Sequence, residues 1–256
     1  MLVVTWNVNS LRARLPRALE FLELHRPDVV CLQETKCAPE QFPVAELADA
    51  GYSAEHHSGG RWAGVALLAR DGLSLTDPAF GLPGEPAADE ARWVEASVSG
   101  LRVISTYVPN GRTLESPEFP RKLRFLEAAA DRVAELKAGD ATVLLSGDFN
   151  VAPADADVYD PEQFVESTHV TAEERSRLAA IGLVDAYRHL HPDTQQFTWW
   201  DYRGGNFHKG LGLRIDLALI SESLVPRLAH VGIDRNFRKG QKPSDHAPLL
   251  IELRAE

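Results

Sequence analysis

The apolar run TVLLS, residues 142–146, closes on Gly147-Asp148-Phe149-Asn150 and delivers two oxygen-bearing side chains to one spot. Side chains alternate faces along a strand, so Asp148 and Asn150 are expected to point the same way while Phe149 packs behind them. Alone the tetrapeptide is ambiguous, because Asp and Asn after a strand are also ordinary turn formers. Its company is what constrains the chain. Apolar strands ending in polar oxygen or imidazole groups recur at VVTWNVN (Asn7, Asn9), VVCLQET (Glu34), VISTYVPN (Tyr107, Asn110), LRIDLAL (Asp216) and PSDHAPLLIEL (Asp245, His246).

Strand patterns cover residues 2–8, 28–34, 51–57, 63–70, 92–98, 101–108, 142–148, 183–187, 196–200, 214–220 and 246–253. Helical spacing runs through 15–25, with Leu15, Leu19 and Leu22 on one face, and through 118–138, where Leu123, Leu126, Ala130, Val133 and Leu136 repeat it. Thr171 followed by Glu174 reads as a capping box opening a helix through Ile181, and Gly139-Asp140 ends the long helix before TVLLS. This mixture excludes an all-helical or strictly alternating plan and predicts two packed sheets flanked by helices. No low-complexity linker divides residues 1–256, so a single domain is expected. Segments 77–91 and 152–164 read as surface loops. Both halves carry strand, helix and strand runs with polar ends, although no repeat is visible residue by residue.

With 44% hydrophobic residues the chain can build a substantial core. It opens directly on the apolar strand MLVVTW without the segments of an export signal, and no apolar run reaches the roughly 18 residues that a bilayer span needs. A soluble, cytoplasmic protein with no membrane partner is expected. Cys31 and Cys37 lack the spacing of a zinc site or a disulfide framework and read as reduced thiols. The net charge of −10 argues against a nucleic-acid partner at first sight. Basic residues nevertheless gather in the last quarter, at Arg203, Lys209, Arg214, Arg227, Arg235, Arg238, Lys239 and Lys242. They read either as a basic rim around an acidic pocket or as a solvated charged face.

Seven strings, WNVNSLRAR (6–14), LQETK (32–36), YVPNGR (107–112), SGDFNVAP (146–153), FTWWDYR (197–203), LRIDLAL (213–219) and KPSDHAPLLIEL (242–253), span the chain from end to end. Together and in this order they resemble the exonuclease III family, within the endonuclease/exonuclease/phosphatase superfamily. The resemblance implies a four-layered α/β sandwich of two packed mixed β-sheets flanked by helices, whose strand-end loops converge on one metal-dependent site. It also implies a DNA repair nuclease acting on double-stranded DNA, incising at abasic sites and removing nucleotides from 3′ ends; a monomer is expected.

Such a reaction needs an activated water, neutralised phosphoryl oxygens and a stabilised leaving oxygen. Glu34 and Asp245 with the amides of Asn7 and Asn9 are hard oxygen donors, which suits Mg²⁺ or Mn²⁺ better than zinc. Glu34 is the expected principal ligand, within a metal-binding set of Asn7, Asn9, Glu34, Asp148, Asn150, Asp245 and His246. Some family members carry Asp where this chain has Asn9, so Asn9 either ligates directly or supports a ligand. Asp148 is expected to orient and deprotonate the attacking water, with Asn150 fixing that water and a phosphate oxygen. The resemblance pairs His246 with Asp216, and either an imidazolium facing the phosphate or a neutral general base fits the sequence. Tyr107 is the expected hydrogen-bond donor to the phosphate or leaving group. Asn110 and Arg112 are expected to grip the DNA backbone. By resemblance, the segment from Trp199 through Trp200 to Phe207 borders a pocket for a base-less sugar, although its aromatics also fit a core. The rivals are another phosphodiesterase of the superfamily and a non-catalytic DNA-binding scaffold, the latter expected to have lost Glu34, Asp148 or His246.

Overall fold

Runs such as VVTW, VVCL, TVLLS and LALI have no polar face to show to water, and a strand of that kind is stable only when both its faces are covered. In the computed structural model, which describes residues 1–255, these runs become β1 (Leu2–Asn7), β2 (Val29–Gln33), β8 (Thr142–Asp148) and β10 (Asp216–Ile220), buried along almost their whole length. They lie in the interior of two six-stranded sheets. The first sheet has the order β11 (Leu228–Ile233), β12 (Leu249–Leu253), β1, β2, β4 (Val65–Arg70), β3 (Tyr52–His57). The second runs β5 (Thr76–Phe80), β6 (Trp93–Val98), β7 (Leu101–Tyr107), β8, β10, β9 (Val184–Asp185).

Each sheet contains one parallel pair joined by a crossover helix: β1 and β2 through α1 (Leu11–His25), and β7 and β8 through α3 (Glu118–Ala138). The two sheets share one topology. A three-strand meander, β5-β6-β7, leads into α3, β8 and the pair β9 and β10; in the first sheet β11-β12-β1 leads into α1, β2 and the pair β3 and β4. The first meander is split, since β11 and β12 close the sequence and β1 opens it, with the Met1 amino group donating to the Leu253 carbonyl at 2.6 Å. The two halves therefore repeat in topology although not in residues.

Val3, Cys31, Leu67 and Ile251 of one sheet pack on Val94, Val103, Leu144 and Ile220 of the other. On the outer face of the first sheet, Phe21 and Leu22 of α1 and Leu47 of α2 (Val44–Asp49) cover Trp6, Val30 and Leu68. On the second, Phe125, Leu126 and Val133 of α3 and Leu178 of α4 (Ala172–Ala180) cover Trp93, Ile104, Leu145 and Leu219. At about 1.5–3 kcal/mol for each large apolar side chain enclosed, these three layers of contact dominate the stability. The four-layered α/β sandwich expected from the resemblance is the fold observed.

Helix α3 and strand β8 keep the bounds expected of them, and the capping box of α4 forms, with Thr171 Oγ1 accepting from Glu174 N at 3.2 Å and Glu174 from Thr171 N at 3.0 Å. Elsewhere the structure differs. Helix α1 begins at Leu11, where Ser10 accepts from Ala13 N, and it tolerates Pro16 inside it. The segment 77–91 contains most of β5, an exposed edge strand that accommodates Pro78 with a register shift, since an edge strand can lack one N–H donor. Strand β11 was not evident in LAHVGI, where His230 and Gly232 interrupt the apolar pattern. The strand expected over 183–187 stops at Asp185, whose carboxylate accepts from Arg188 N and starts α5 (Ala186–Leu190) instead. Residues 196–200 form no strand; Trp199 makes isolated bridges to Leu213 and His246. Among the expected basic rim, Arg214 and Arg238 are buried. Cys31 and Cys37 are buried and unpaired, and among the described residues no helix is long and apolar enough to cross a membrane.

Candidate active site

The carboxyl ends of both parallel pairs and the amino ends of β10 and β12 meet at one edge of the sandwich. Gly147 sets the approach of β7 to β8 there, since a Cβ at this position would lie 1.9 Å from the Thr106 carbonyl oxygen. Asn7, at the end of β1, spans the two sheets: its Nδ2 donates to Glu34 Oε1 at 2.7 Å and to Asp148 Oδ2 at 2.9 Å. Its Oδ1 accepts from Asn9 N at 3.0 Å, which fixes the orientation of the amide. His246 donates from Nδ1 to Asp216 Oδ2 at 2.8 Å and holds Nε2 3.8 Å from Asp148 Oδ2. Asn9, Glu34 and Asn150 all have positive φ, at 44°, 52° and 51°. Side chains rarely adopt this left-handed region, and here the surrounding hydrogen bonds hold them in it.

Burial and like charges govern the electrostatics. Burial pushes the Asp148 carboxyl up; Asp216 and Glu34 add to the rise, His246 and the Asn7 amide oppose it, and the result is about 7. Burial alone would lower the His246 pKa, but Asp216, then Asp148, the hydrogen bond to Asp216 and lastly Asp245 raise it to about 10. The imidazole is therefore an imidazolium at neutral pH. Tyr107 is pushed well above the ordinary phenol range by burial and by the charges of Glu34 and Asp148, so its hydroxyl stays a donor. Asp216→Asn keeps the shape and removes the charge, and is expected to lower the His246 pKa by about one unit or more. Titration of the ring by NMR in both proteins measures it, and an unchanged value would break the assigned pairing.

Asp148 and Asn150 do come together, although not by strand alternation. Strand β8 ends at Asp148, and Asn150 turns back through its left-handed backbone so that its N–H donates to Asp148 Oδ1 at 2.9 Å. Phe149 is fully buried behind them. The Asn150 side chain donates to Val108 O at 3.0 Å and accepts from Asn110 Nδ2 at 3.0 Å, which ties two loops together. A second cluster adjoins the first: Asp245 accepts from Asn9 Nδ2 at 2.9 Å and from Trp199 Nε1 at 3.1 Å. Burial would raise the Asp245 pKa, but His246 and these two donors hold it below the usual carboxylate range. The guanidinium of Arg112 is exposed and makes no hydrogen bond or ion pair among the described residues. Trp200 and Phe207 pack edge to face at 5.0 Å; Trp200 has no exposed surface, so it supports the 199–207 loop from behind and offers a substrate no contact area.

Several residues of the site were not singled out from the sequence. Lys36, inside the LQETK string, bonds Glu34 Oε2 at 2.5 Å and Asn9 Oδ1 at 2.7 Å. Ser244 donates to Asn7 O at 2.7 Å and accepts from His246 N at 3.2 Å, locking β1 to the His246 loop. Behind Asn150, the fully buried Lys122 donates to Asn150 O at 2.6 Å, Thr168 Oγ1 at 3.1 Å and Asn110 O at 3.2 Å, and pairs with buried Glu174. Its signal was a lysine on the apolar stripe of α3, in register with Leu126, Ala129 and Val133.

The donor set fits a hard divalent cation. Ligand atoms of Glu34, Asp148 and His246 lie within 4.8 Å of one another, and once His246 is protonated the remaining donors are carboxylate oxygens. The amide nitrogen of Asn7 faces both carboxylates, so Asn7 holds them in place.

Residues 4–246 match the model of the endonuclease/exonuclease/phosphatase family. The chain is 34% identical to exodeoxyribonuclease III of Haemophilus influenzae over 99% of its own length and 100% of that protein's. Among solved structures, it is 40% identical to a 3′ phosphatase from Neisseria bound to a product DNA hairpin, with a TM-score of 0.96 and full coverage of both chains. An AP endonuclease from Archaeoglobus fulgidus is 33% identical, also over the whole of both chains, with a TM-score of 0.95.

Proposed function

The chain belongs to the endonuclease/exonuclease/phosphatase family, and from that premise we propose that it is a DNA repair nuclease that hydrolyses phosphate esters of double-stranded DNA at abasic sites and 3′ ends. The observation that carries the chemistry is the placing of Asp148 between the Asn7 amide and the His246 imidazolium. A carboxylate with a pKa of about 7 is a base matched to neutral pH. Asp148 takes the proton from a water, and the Asn150 loop fixes that water against the phosphorus. His246, kept cationic by Asp216, stabilises the charge that builds on the phosphoryl oxygens, and Tyr107 donates to the same oxygens or to the leaving oxygen. Glu34, the principal ligand expected, would hold Mg²⁺ or Mn²⁺, which when bound supplies further neutralisation of the phosphate charge. Asn110 and Arg112 face the sugar-phosphate backbone. The protein works as a cytoplasmic monomer.

On this scheme the rate rises as Asp148 deprotonates through about pH 7 and falls as His246 deprotonates near pH 10. Asp216→Asn moves the falling limb to lower pH, because the imidazolium loses its principal counter-charge.

The 40% identity to the Neisseria 3′ phosphatase favours a second reading, in which 3′ end processing dominates over abasic incision. A parallel assay of abasic duplex, recessed 3′ duplex, 3′-phosphate duplex and RNA/DNA hybrid separates the two. Each substrate is expected to be processed with Mg²⁺ or Mn²⁺ and left intact in excess chelator. Turnover of none of them with metal, or undiminished turnover in chelator, overturns the proposal.

A further inference from the structure

Outside the catalytic edge, three lysine and arginine residues among the described residues are more than nine-tenths buried: Lys122, Arg214 and Arg238. Lys122 has Glu174 as its counter-ion, and Arg214 has Asp157 at 2.7 Å and Asp185 at 2.8 Å. Arg238, at the end of a 3₁₀ turn (Arg235–Arg238), has no carboxylate within ion-pair distance among the described residues. Its guanidinium lies 4.9 Å from the ring of Tyr202 and 5.3 Å from that of Phe207. It donates one hydrogen bond, to the Trp200 carbonyl at 3.2 Å, and its Nε is enclosed without a partner. A buried charge without a counter-ion is costly, and aromatic faces return only part of that cost.

Arg238 also lines a cavity of about 250 Å³ together with Asn206, His208 and the exposed Lys239. The one acid on its wall, Asp201, pairs with Arg203 at 3.2 Å. The opening adjoins the catalytic edge, because Tyr202 donates to the carbonyl of Pro243, three residues before His246, and accepts from Arg14 at 3.1 Å. A forked cation with unused donors and a second cation at the rim of a half-open cavity match the needs of a tetrahedral oxyanion.

We propose that the Arg238 cavity is a second phosphate-binding site, taking a phosphodiester of the bound DNA strand away from the position of hydrolysis, or a free phosphate. The DNA arm rests on the reading above; the cavity's affinity for phosphate does not.

Binding of a fluorescent duplex is measured against KCl concentration for the parent, Arg238→Gln and, as a surface change that spares the core, Lys239→Gln. The slope of log affinity against log salt is expected to become shallower by about one in each variant, the signature of one lost phosphate contact. A merely structural Arg238 leaves the Lys239→Gln slope unchanged. Duplexes carrying one neutral methylphosphonate each then locate the contact: one position is expected to weaken the parent about tenfold and the variants not at all. In a separate arm, millimolar inorganic phosphate is expected to raise the melting temperature of the parent more than that of Lys239→Gln. Unchanged slopes in both variants, together with equal phosphate responses, overturn the site. A parent that binds no duplex defeats the DNA reading alone and leaves the phosphate arm to decide the cavity.

Discussion

Asp148→Asn is expected to lower the single-turnover rate on a cleavable duplex by about 10²–10⁴-fold, the usual worth of a general base. The carboxylate does two jobs that a carboxamide cannot combine. Its two oxygens accept from Asn7 Nδ2 and Asn150 N, whereas an amide has one acceptor oxygen, so one of those donors loses its partner. The amide also has no proton affinity near neutral pH, so the rising limb of the rate profile at about pH 7 disappears with it. Affinity for DNA is expected to survive within a few-fold, since it comes mainly from backbone phosphates. Rapid-quench measurement with enzyme in excess separates binding from chemistry. A rate within tenfold of the parent would remove Asp148 from the role of base.

Lys122→Met is expected to destabilise the protein by about 3–5 kcal/mol, because it leaves the Glu174 carboxylate enclosed without its counter-ion. For a chain of this size that corresponds to a fall in melting temperature of roughly 6–20 °C. The carbonyls of Asn110 and Asn150 lose their donor in the same step, so the loop that carries Asn150 should lose its fixed geometry and activity should fall with it. Adding Glu174→Gln removes the stranded charge and is expected to recover part of the stability. Denaturant unfolding of the parent, both single variants and the double variant measures the coupling directly. A single variant within about 1 kcal/mol of the parent would show that the pair is not what holds the loop.

The individual groups of the site were legible in the sequence because each strand that ends in one is strongly apolar, and an apolar strand announces its polar terminus. What joins them was not. The bonds from Asn7 to Asp148, Asn9 to Asp245 and Ser244 to Asn7 cross 141, 236 and 237 residues of sequence, and no local pattern encodes a partner at that distance. The same holds for the turn that brings Asn150 back to Asp148, since its left-handed backbone is sustained by Val108 and Asn110 on another loop. Edge strands β5 and β11 were missed for a different reason. Half of their backbone groups face solvent, so they tolerate a proline or a glycine and carry a weak apolar signal.

The division of the first meander between the two ends of the sequence bears on how the protein is made. A growing chain emerges amino end first, so β1 and β2 exist long before β12, which is synthesised after every other strand. Until then one edge of β1 has no neighbour, and an open edge invites pairing with other chains. His246 lies just ahead of β12 and arrives equally late. A product of synthesis interrupted between Asp148 and His246 therefore carries Glu34 and Asp148 but neither the imidazolium nor a closed first sheet, and cannot assemble the site. Closing the first sheet and completing the site are one event, because the same stretch of chain delivers β12 and His246.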